Sequence, residues 1–210
     1  MKKRIGVLVS GGGTNLQALI DAAEQGFFEA EIGLVISSKA GVFALERAAR
    51  HRIPALVIEN RGFASVAEYT AALIKALVEQ RIDLVCLAGF LRILDAALFD
   101  TYRNRVLNIH PALLPAFGGK GMYGHHVHEA VLRSGAKFSG ATVHLVTPET
   151  DVGPIVAQGV VPVRDDDTLD SLAERVLQVE HRIYPEAVKL ILGERFVVDG
   201  LRVRSKDCGD

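Results

Sequence analysis

Apolar runs alternate with amphipathic stretches along the first half of the chain. Residues 4–10, 31–37, 55–58, 83–88 and 105–109 are short and rich in Val, Ile and Leu, the pattern of strands buried on both faces. Between them, 14–25, 42–52, 66–80 and a short stretch near 94–102 carry helical periodicity. Strand–helix–strand alternation predicts a parallel sheet with right-handed crossovers.

The pattern then changes. Residues 112–124 form a loop with one proline and four glycines, and a short helix is expected over 125–134. Two strands, 141–147 and 155–163, flank the polar segment 148–154. A long helix is predicted over 169–192, with Leu169, Leu172, Val176, Val179 and Ile183 in one apolar stripe. Thr168 is its expected N-cap, and Pro185 should kink or interrupt its last turns. Asp199-Gly200 between two apolar triplets signals a hairpin.

Composition narrows the class. The chain has 210 residues and is 49% hydrophobic, ample for a continuous core. A formal net charge of −1 gives no bulk attraction to nucleic acid or an anionic membrane. Cys86 in an apolar run and Cys208 in a polar tail imply no disulfide framework, which fits a reducing, cytoplasmic compartment. No segment approaches the roughly 18 apolar residues of a membrane span. The start, MKKRIGVLVS, runs into three glycines and reads as a first strand rather than a signal peptide.

Ser10-Gly11-Gly12-Gly13-Thr14-Asn15-Leu16 joins the first strand to the first helix. Glycines let a ligand approach the backbone, and a helix N-terminus offers free N–H groups and a positive dipole end. Leu16 fills the third glycine of a dinucleotide fingerprint, and no carboxylate follows the second strand, which ends in Ser37-Ser38-Lys39. A single phosphate at Gly12, Gly13, Thr14 and Asn15 fits better; a merely tight turn is the alternative.

Val106-Leu107-Asn108-Ile109-His110-Pro111 carries the densest chemistry. Asn108 and His110 sit two apart on a short strand and so share a face. An amide and an imidazole delivered together suit a developing oxyanion. A carboxylate would hold the imidazole charged; Asp151 is the first candidate and Glu149 the rival. A structural histidine is the bland alternative.

Other features are weaker. His125, His126 and His128 beside Glu129 could hold a metal, but His126 and His128 are two apart rather than four, and a substrate-orienting loop is the better reading; no metal is expected. Residues 118–124 form a glycine-rich loop that closes over the site or is an ordinary connection. Asp165-Asp166-Asp167 reads as a solvated lead-in to the long helix. Glu180, at the edge of the apolar stripe, is either a solvated flank or a buried ligand for hydroxyl groups.

Taken in order, SGGGTNLQALI, LAGFLRIL at 87–94, LNIHPALLP at 107–115, GATVHLVTPETDVGPIVAQ at 140–158 and VEHRIYPEAV at 179–188 span nearly the whole chain. This set resembles the phosphoribosylglycinamide formyltransferases, a purine-pathway family that uses 10-formyltetrahydrofolate. The resemblance implies a single α/β domain over 1–204, with a Rossmann-like, mostly parallel sheet and helices on both faces. Its halves would be about 1–104, for phosphate, and 105–204, for folate and catalysis, with a tail at 205–210. It implies that Asn108, His110 and Asp151 match the catalytic trio. Gly13, Thr14 and Asn15 would match the ribose-phosphate loop and Glu180 the acidic substrate contact. Leu91, Arg92, Ile93 and Leu94 would hold the folate largely through backbone groups, with Asn108, Val146 and Thr147 at the pterin pocket.

One departure stands out. The family often has Phe-x-Ser-Arg before the third crossover helix, with the Arg contacting folate, whereas this chain reads Phe63-Ala64-Ser65-Val66. That contact is lost or supplied by Arg61. The implied function is formyl transfer to the amine of phosphoribosylglycinamide. The rivals are a formyl-folate hydrolase, an initiator-tRNA formylase, which needs a basic surface and extra domain, and a non-catalytic phosphosugar sensor. The expected partners are small molecules, with neither nucleic acid nor membrane; monomer and homodimer both remain open.

Overall fold

The computed structural model describes residues 2–206; Cys208 and the end of the expected tail lie outside the described residues. The chain is α/β and forms two compact units, residues 2–107 and 108–206.

The first unit holds β1 (Lys3–Val9), α1 (Thr14–Glu24), β2 (Ala30–Ser37), α2 (Phe43–Arg50), β3 (Ala55–Val57), α3 (Val66–Glu79), β4 (Leu84–Ala88) and α4 (Ala96–Thr101). Its strands lie in the order β3-β2-β1-β4, all parallel. Val7, Leu8, Val9, Val35, Ile36, Val85 and Cys86 have no exposed surface, as continuous apolar runs predict. The three residues of β3 are instead exposed. It pairs only with β2 and forms an edge, so its apolar run is not a buried one. A turn of 3-10 helix at Asn60–Gly62 was not foreseen. The fourth helix starts later than its pattern suggests because the Asp95 carboxylate accepts from Ala97 N–H at 3.0 Å and caps it there. Leu94 therefore precedes that helix.

β5 (Val106–His110) crosses from the first unit into the second. The second unit continues with α5 (His125–Ser134), β6 (Phe138–Leu145), β7 (Ile155–Pro162), α6 (Leu169–Leu192), β8 (Phe196–Asp199) and β9 (Arg202–Ser205). β6 and β7 are antiparallel, as are β8 and β9. Asp199 still pairs with Arg202, so the hairpin turns at Gly200-Leu201, one residue later than expected, with Gly200 at φ 57°.

α6 opens with the expected cap: Thr168 Oγ1 accepts from Ser171 N–H at 3.2 Å, and Ser171 Oγ accepts from Thr168 N–H at 3.0 Å. The helix runs through Pro185 without interruption. Pro185 is buried, as are its helix neighbours Ile183, Tyr184, Ala187 and Val188, so burial of this stretch offsets the missing N–H. The buried stripe is Leu172, Val176, Glu180, Ile183, Ala187 and Ile191, with Leu169 and Val179 only half-buried.

The aspartate lead-in is not wholly solvated. The Asp167 side chain is 2% exposed. It accepts from both terminal nitrogens of Arg175, at 2.8 and 2.7 Å, from Ser171 Oγ at 2.7 Å and from the Arg164 N–H at 2.7 Å. Hydrogen bonding to Arg175 holds its carboxyl well below the usual range.

Candidate active site

β5 brings Asn108 and His110 to one face, Asn108 half-buried and His110 3% exposed. Asp151 reaches the same place from the loop between β6 and β7, at φ 57°. A side chain at Gly153, two residues on, would run into the carbonyl of Leu145, so the loop can pass there only as glycine. Asp151 Oδ2 is 3.7 Å from His110 Nδ1. The rival carboxylate, Glu149, is exposed. The sequence left Asp151 and Glu149 open; only Asp151 meets the histidine.

Sequence reasoning gave His144 no role. Its ring is 1% exposed, with Nε2 3.6 Å from Asp151 Oδ1 and 3.1 Å from Asn108 Nδ2. Nδ1 faces the Leu145 carbonyl at 3.0 Å. A carbonyl only accepts, so Nδ1 carries the hydrogen. In the neutral ring Nε2 then accepts from the Asn108 amide, which fixes which way that amide points and leaves its second N–H free. The available signal was strand alternation: Thr142 and His144 share a face of β6.

The loop 116–124 is anchored at its start. His110 Nε2–H donates to the Phe117 carbonyl at 2.8 Å, and the Gly119 N–H donates to Asp151 Oδ2 at 2.9 Å. Thr142 Oγ1 donates to the Ala112 carbonyl at 2.7 Å and accepts from Leu114 N–H at 3.0 Å. With Nε2–H committed, Nδ1 is the nitrogen of His110 left for proton chemistry.

The electrostatics differ from the expected standing imidazolium. Burial pushes the His110 pKa below its usual value; Asp151 and the Phe117 carbonyl work the other way, as expected of the carboxylate, but do not prevail. Burial alone would raise Asp151, but His144, the Gly119 N–H and charge on either imidazole hold it below the usual range. The pair is therefore a neutral ring beside a carboxylate.

His125 and His126 are exposed and His126 packs edge-on to Tyr123, with ring centroids 5.0 Å apart. His128 is 5% exposed, and its Nδ1 is buried without a hydrogen-bond partner. Among the described residues no group of three or more His, Cys, Asp or Glu side chains is arranged to hold a metal ion. No described helix is long and apolar enough to cross a membrane. Glu180 is 8% exposed within the α6 stripe, so it is buried rather than a solvated flank.

In the first unit, α1 begins at Thr14 with Gly13 as its cap, at φ 71°. No side chain caps this end and its first turn carries no acid, so its N–H groups keep their anion-binding character. Gly11 and Gly12 are exposed, and Asn15 is buried.

A cavity of about 400 Å³ in the same unit is lined by Phe63, Ser65, Val66, Tyr69, Leu91 and Arg92, among others. The Tyr69 hydroxyl and Arg92 Nε are both buried without hydrogen-bond partners. Burial pushes the Tyr69 hydroxyl up to about 12, against the pull of Arg92, so it remains a donor. Leu91 and Ile93 are exposed at 52% and 81%. Arg61 does not line the cavity and pairs with Glu59 at 2.5 Å. Val146 and Thr147, in the second unit, follow the end of β6 and are half-buried.

The formyl transferase family model matches residues 3–188. A trifunctional purine biosynthetic protein adenosine-3 from Gallus gallus is 43% identical over 190 residues, 90% of this chain; the chain spans only 18% of that relative's length. The crystal structure of glycinamide ribonucleotide transformylase 1 from Symbiobacterium toebii is 44% identical with a TM-score of 0.92, covering 97% of this chain and 94% of that one. A formyltetrahydrofolate deformylase from Pseudomonas syringae is 26% identical with a TM-score of 0.87, covering 98% of this chain and 66% of that one. This chain belongs to the formyl transferase family.

Proposed function

We propose that the chain transfers the formyl group of 10-formyltetrahydrofolate to the amine of 5′-phosphoribosylglycinamide, releasing tetrahydrofolate, as a step of purine biosynthesis. The observation that carries this reading is the convergence of Asn108, His110 and Asp151, with an oriented amide and an imidazole whose Nδ1 faces a carboxylate. The greater identity to a glycinamide ribonucleotide transformylase than to a deformylase favours an amine over water as acceptor.

In this reading the phosphate sits at Gly12, Gly13, Thr14 and Asn15, and buried Glu180 accepts from ribose hydroxyls. The folate is held by Leu91, Arg92, Ile93 and Leu94, with Val146 and Thr147 walling the pterin. The orphaned donors Arg92 Nε and Tyr69 Oη suit an acceptor-bearing part of that co-substrate. The domain would extend over 1–204 and act in the cytoplasm, as a monomer or homodimer, on small molecules alone.

The amine attacks the formyl carbon and negative charge develops on the formyl oxygen. The free N–H of Asn108 donates to that oxygen. As the amine nitrogen becomes positive, its proton passes to His110 Nδ1, directly or through a water held by Asp151. The imidazolium so formed lies beside the Asp151 carboxylate, which stabilises it, and adds a second charge opposite the oxyanion. Collapse breaks the bond from carbon to N10 of the folate, and His110 Nδ1 returns the proton to that nitrogen. No covalent enzyme intermediate is needed.

The test is product identification by mass spectrometry after incubation with both substrates. The formylated amide of phosphoribosylglycinamide is expected; free formate as the sole one-carbon product would replace the transferase reading with hydrolysis.

A further inference from the structure

Three contacts tie α2 to the glycine loop. The Ala44 N–H donates to the Gly11 carbonyl at 3.3 Å, and Arg47 Nε–H donates to the Gly12 carbonyl at 2.9 Å. A methyl at Gly13 would lie 2.7 Å from the Ala44 Cβ, so the two backbones touch. Arg47 is itself held: Nη1 donates to Gln17 Oε1 on α1 at 3.1 Å, and its guanidinium lies 4.8 Å from the centre of the Phe43 ring.

A trans peptide unit puts its C=O and the following N–H on opposite sides. Drawing the Gly11 carbonyl toward α2 therefore turns the Gly12 N–H away from it. Drawing the Gly12 carbonyl onto Arg47 turns the Gly13 N–H away likewise. Both donors are thereby turned off α2, directly before the uncapped first-turn N–H groups of α1 in the chain. Two glycines in sequence have wide conformational freedom, and fixing them by a side chain removes an entropy cost that binding would otherwise meet.

We infer that Arg47 is a positioning residue for the phosphoryl group of the substrate, setting the orientation of the Gly12–Gly13 amides through the Gly12 carbonyl. It acts through the loop and touches no reacting atom. This rests on the proposed assignment of a phosphorylated amine to that loop.

The test compares kcat/KM for phosphoribosylglycinamide with that for its dephosphorylated counterpart, in wild-type protein and in Arg47→Gln, Arg47→Lys and Arg50→Gln. Arg50 also lies against Phe43, at 5.2 Å, and serves as the control. Wild-type protein is expected to prefer the phosphorylated amine strongly. Arg47→Gln should cut that preference at least tenfold, through KM for the phosphorylated amine, with kcat and the dephosphorylated reaction within about twofold. Arg47→Lys should not restore it, because an ammonium lacks the fixed Nε–H; Arg50→Gln should retain it. An unchanged preference in Arg47→Gln, or full recovery with Lys, overturns the inference while leaving the proposed function standing. Wild-type protein that does not discriminate between the two amines overturns the phosphate assignment itself.

Discussion

His110 and His144 turn toward one carboxylate: His110 Nδ1 is 3.7 Å from Asp151 Oδ2, and His144 Nε2 is 3.6 Å from Oδ1. Asp151 raises the His110 pKa against the larger effect of burial. Asp151→Asn removes that support, so the His110 midpoint in an NMR titration should move further down, and turnover should fall by roughly a hundredfold, the scale of losing one general acid–base contribution. A midpoint that rises would contradict the geometry.

Asn108 and His144 should separate in magnitude. Removing one oxyanion donor costs about 2.7–4 kcal/mol, so Asn108→Ala should lower kcat roughly 10²–10³-fold with folding intact. His144→Leu removes the bond that orients the amide, together with the ring's approach to Asp151 Oδ1 and its bond to the Leu145 carbonyl, but leaves the Asn108 donor itself in place. A neutral hydrogen bond is worth about 1 kcal/mol, so a loss of roughly fivefold is expected. Steady-state kinetics and circular dichroism on both variants check the pair.

Buried His128 makes the protein sensitive to acid. Burial first, then His125 and His110, lower its pKa from 6.5 to about 4. The folded value lies below the unfolded one, so the unfolded chain binds more protons across that window. The stabilisation is present above pH 6.5 and is lost as pH falls toward 4, by roughly 3 kcal/mol at 1.36 kcal/mol per pH unit. His110 contributes loss of the same sign. His128→Gln should therefore lose less stability between pH 6.5 and 4.5 than wild-type protein in urea unfolding; an equal or steeper loss would contradict this.

Val66 lines the first-unit cavity at 46% exposure, beside Arg92. Val66→Arg should add a partly solvated charge for an anionic co-substrate. An exposed pair is worth about 0.5–1 kcal/mol, so KM for the formyl-folate should fall about threefold while KM for the amine stays unchanged. A change in the amine KM alone would place the cavity elsewhere in the reaction.

Much of this was legible from the chain. β1, β2 and β4 announce themselves because strands buried on both faces need unbroken apolar runs, and Asn108 and His110 follow from alternation on β5. β3 was misjudged because a short apolar run looks alike at a covered position and at an edge. His144 was passed over because polar residues alternating on an antiparallel strand look like a solvated face; here that face meets Asp151 and the 112–114 loop. The Asp167–Arg175 pair spans eight residues, beyond the one-turn spacing by which helical ion pairs are read. The continuous α6 shows tertiary packing overriding a local proline signal.

The most direct measurement is the rate of tetrahydrofolate release from 10-formyltetrahydrofolate, followed by absorbance with and without phosphoribosylglycinamide. Release that requires the amine, and that falls at least a hundredfold in Asn108→Ala, is the expected result. Equal release with and without the amine, or full activity in that variant, would contradict formyl transfer at this site.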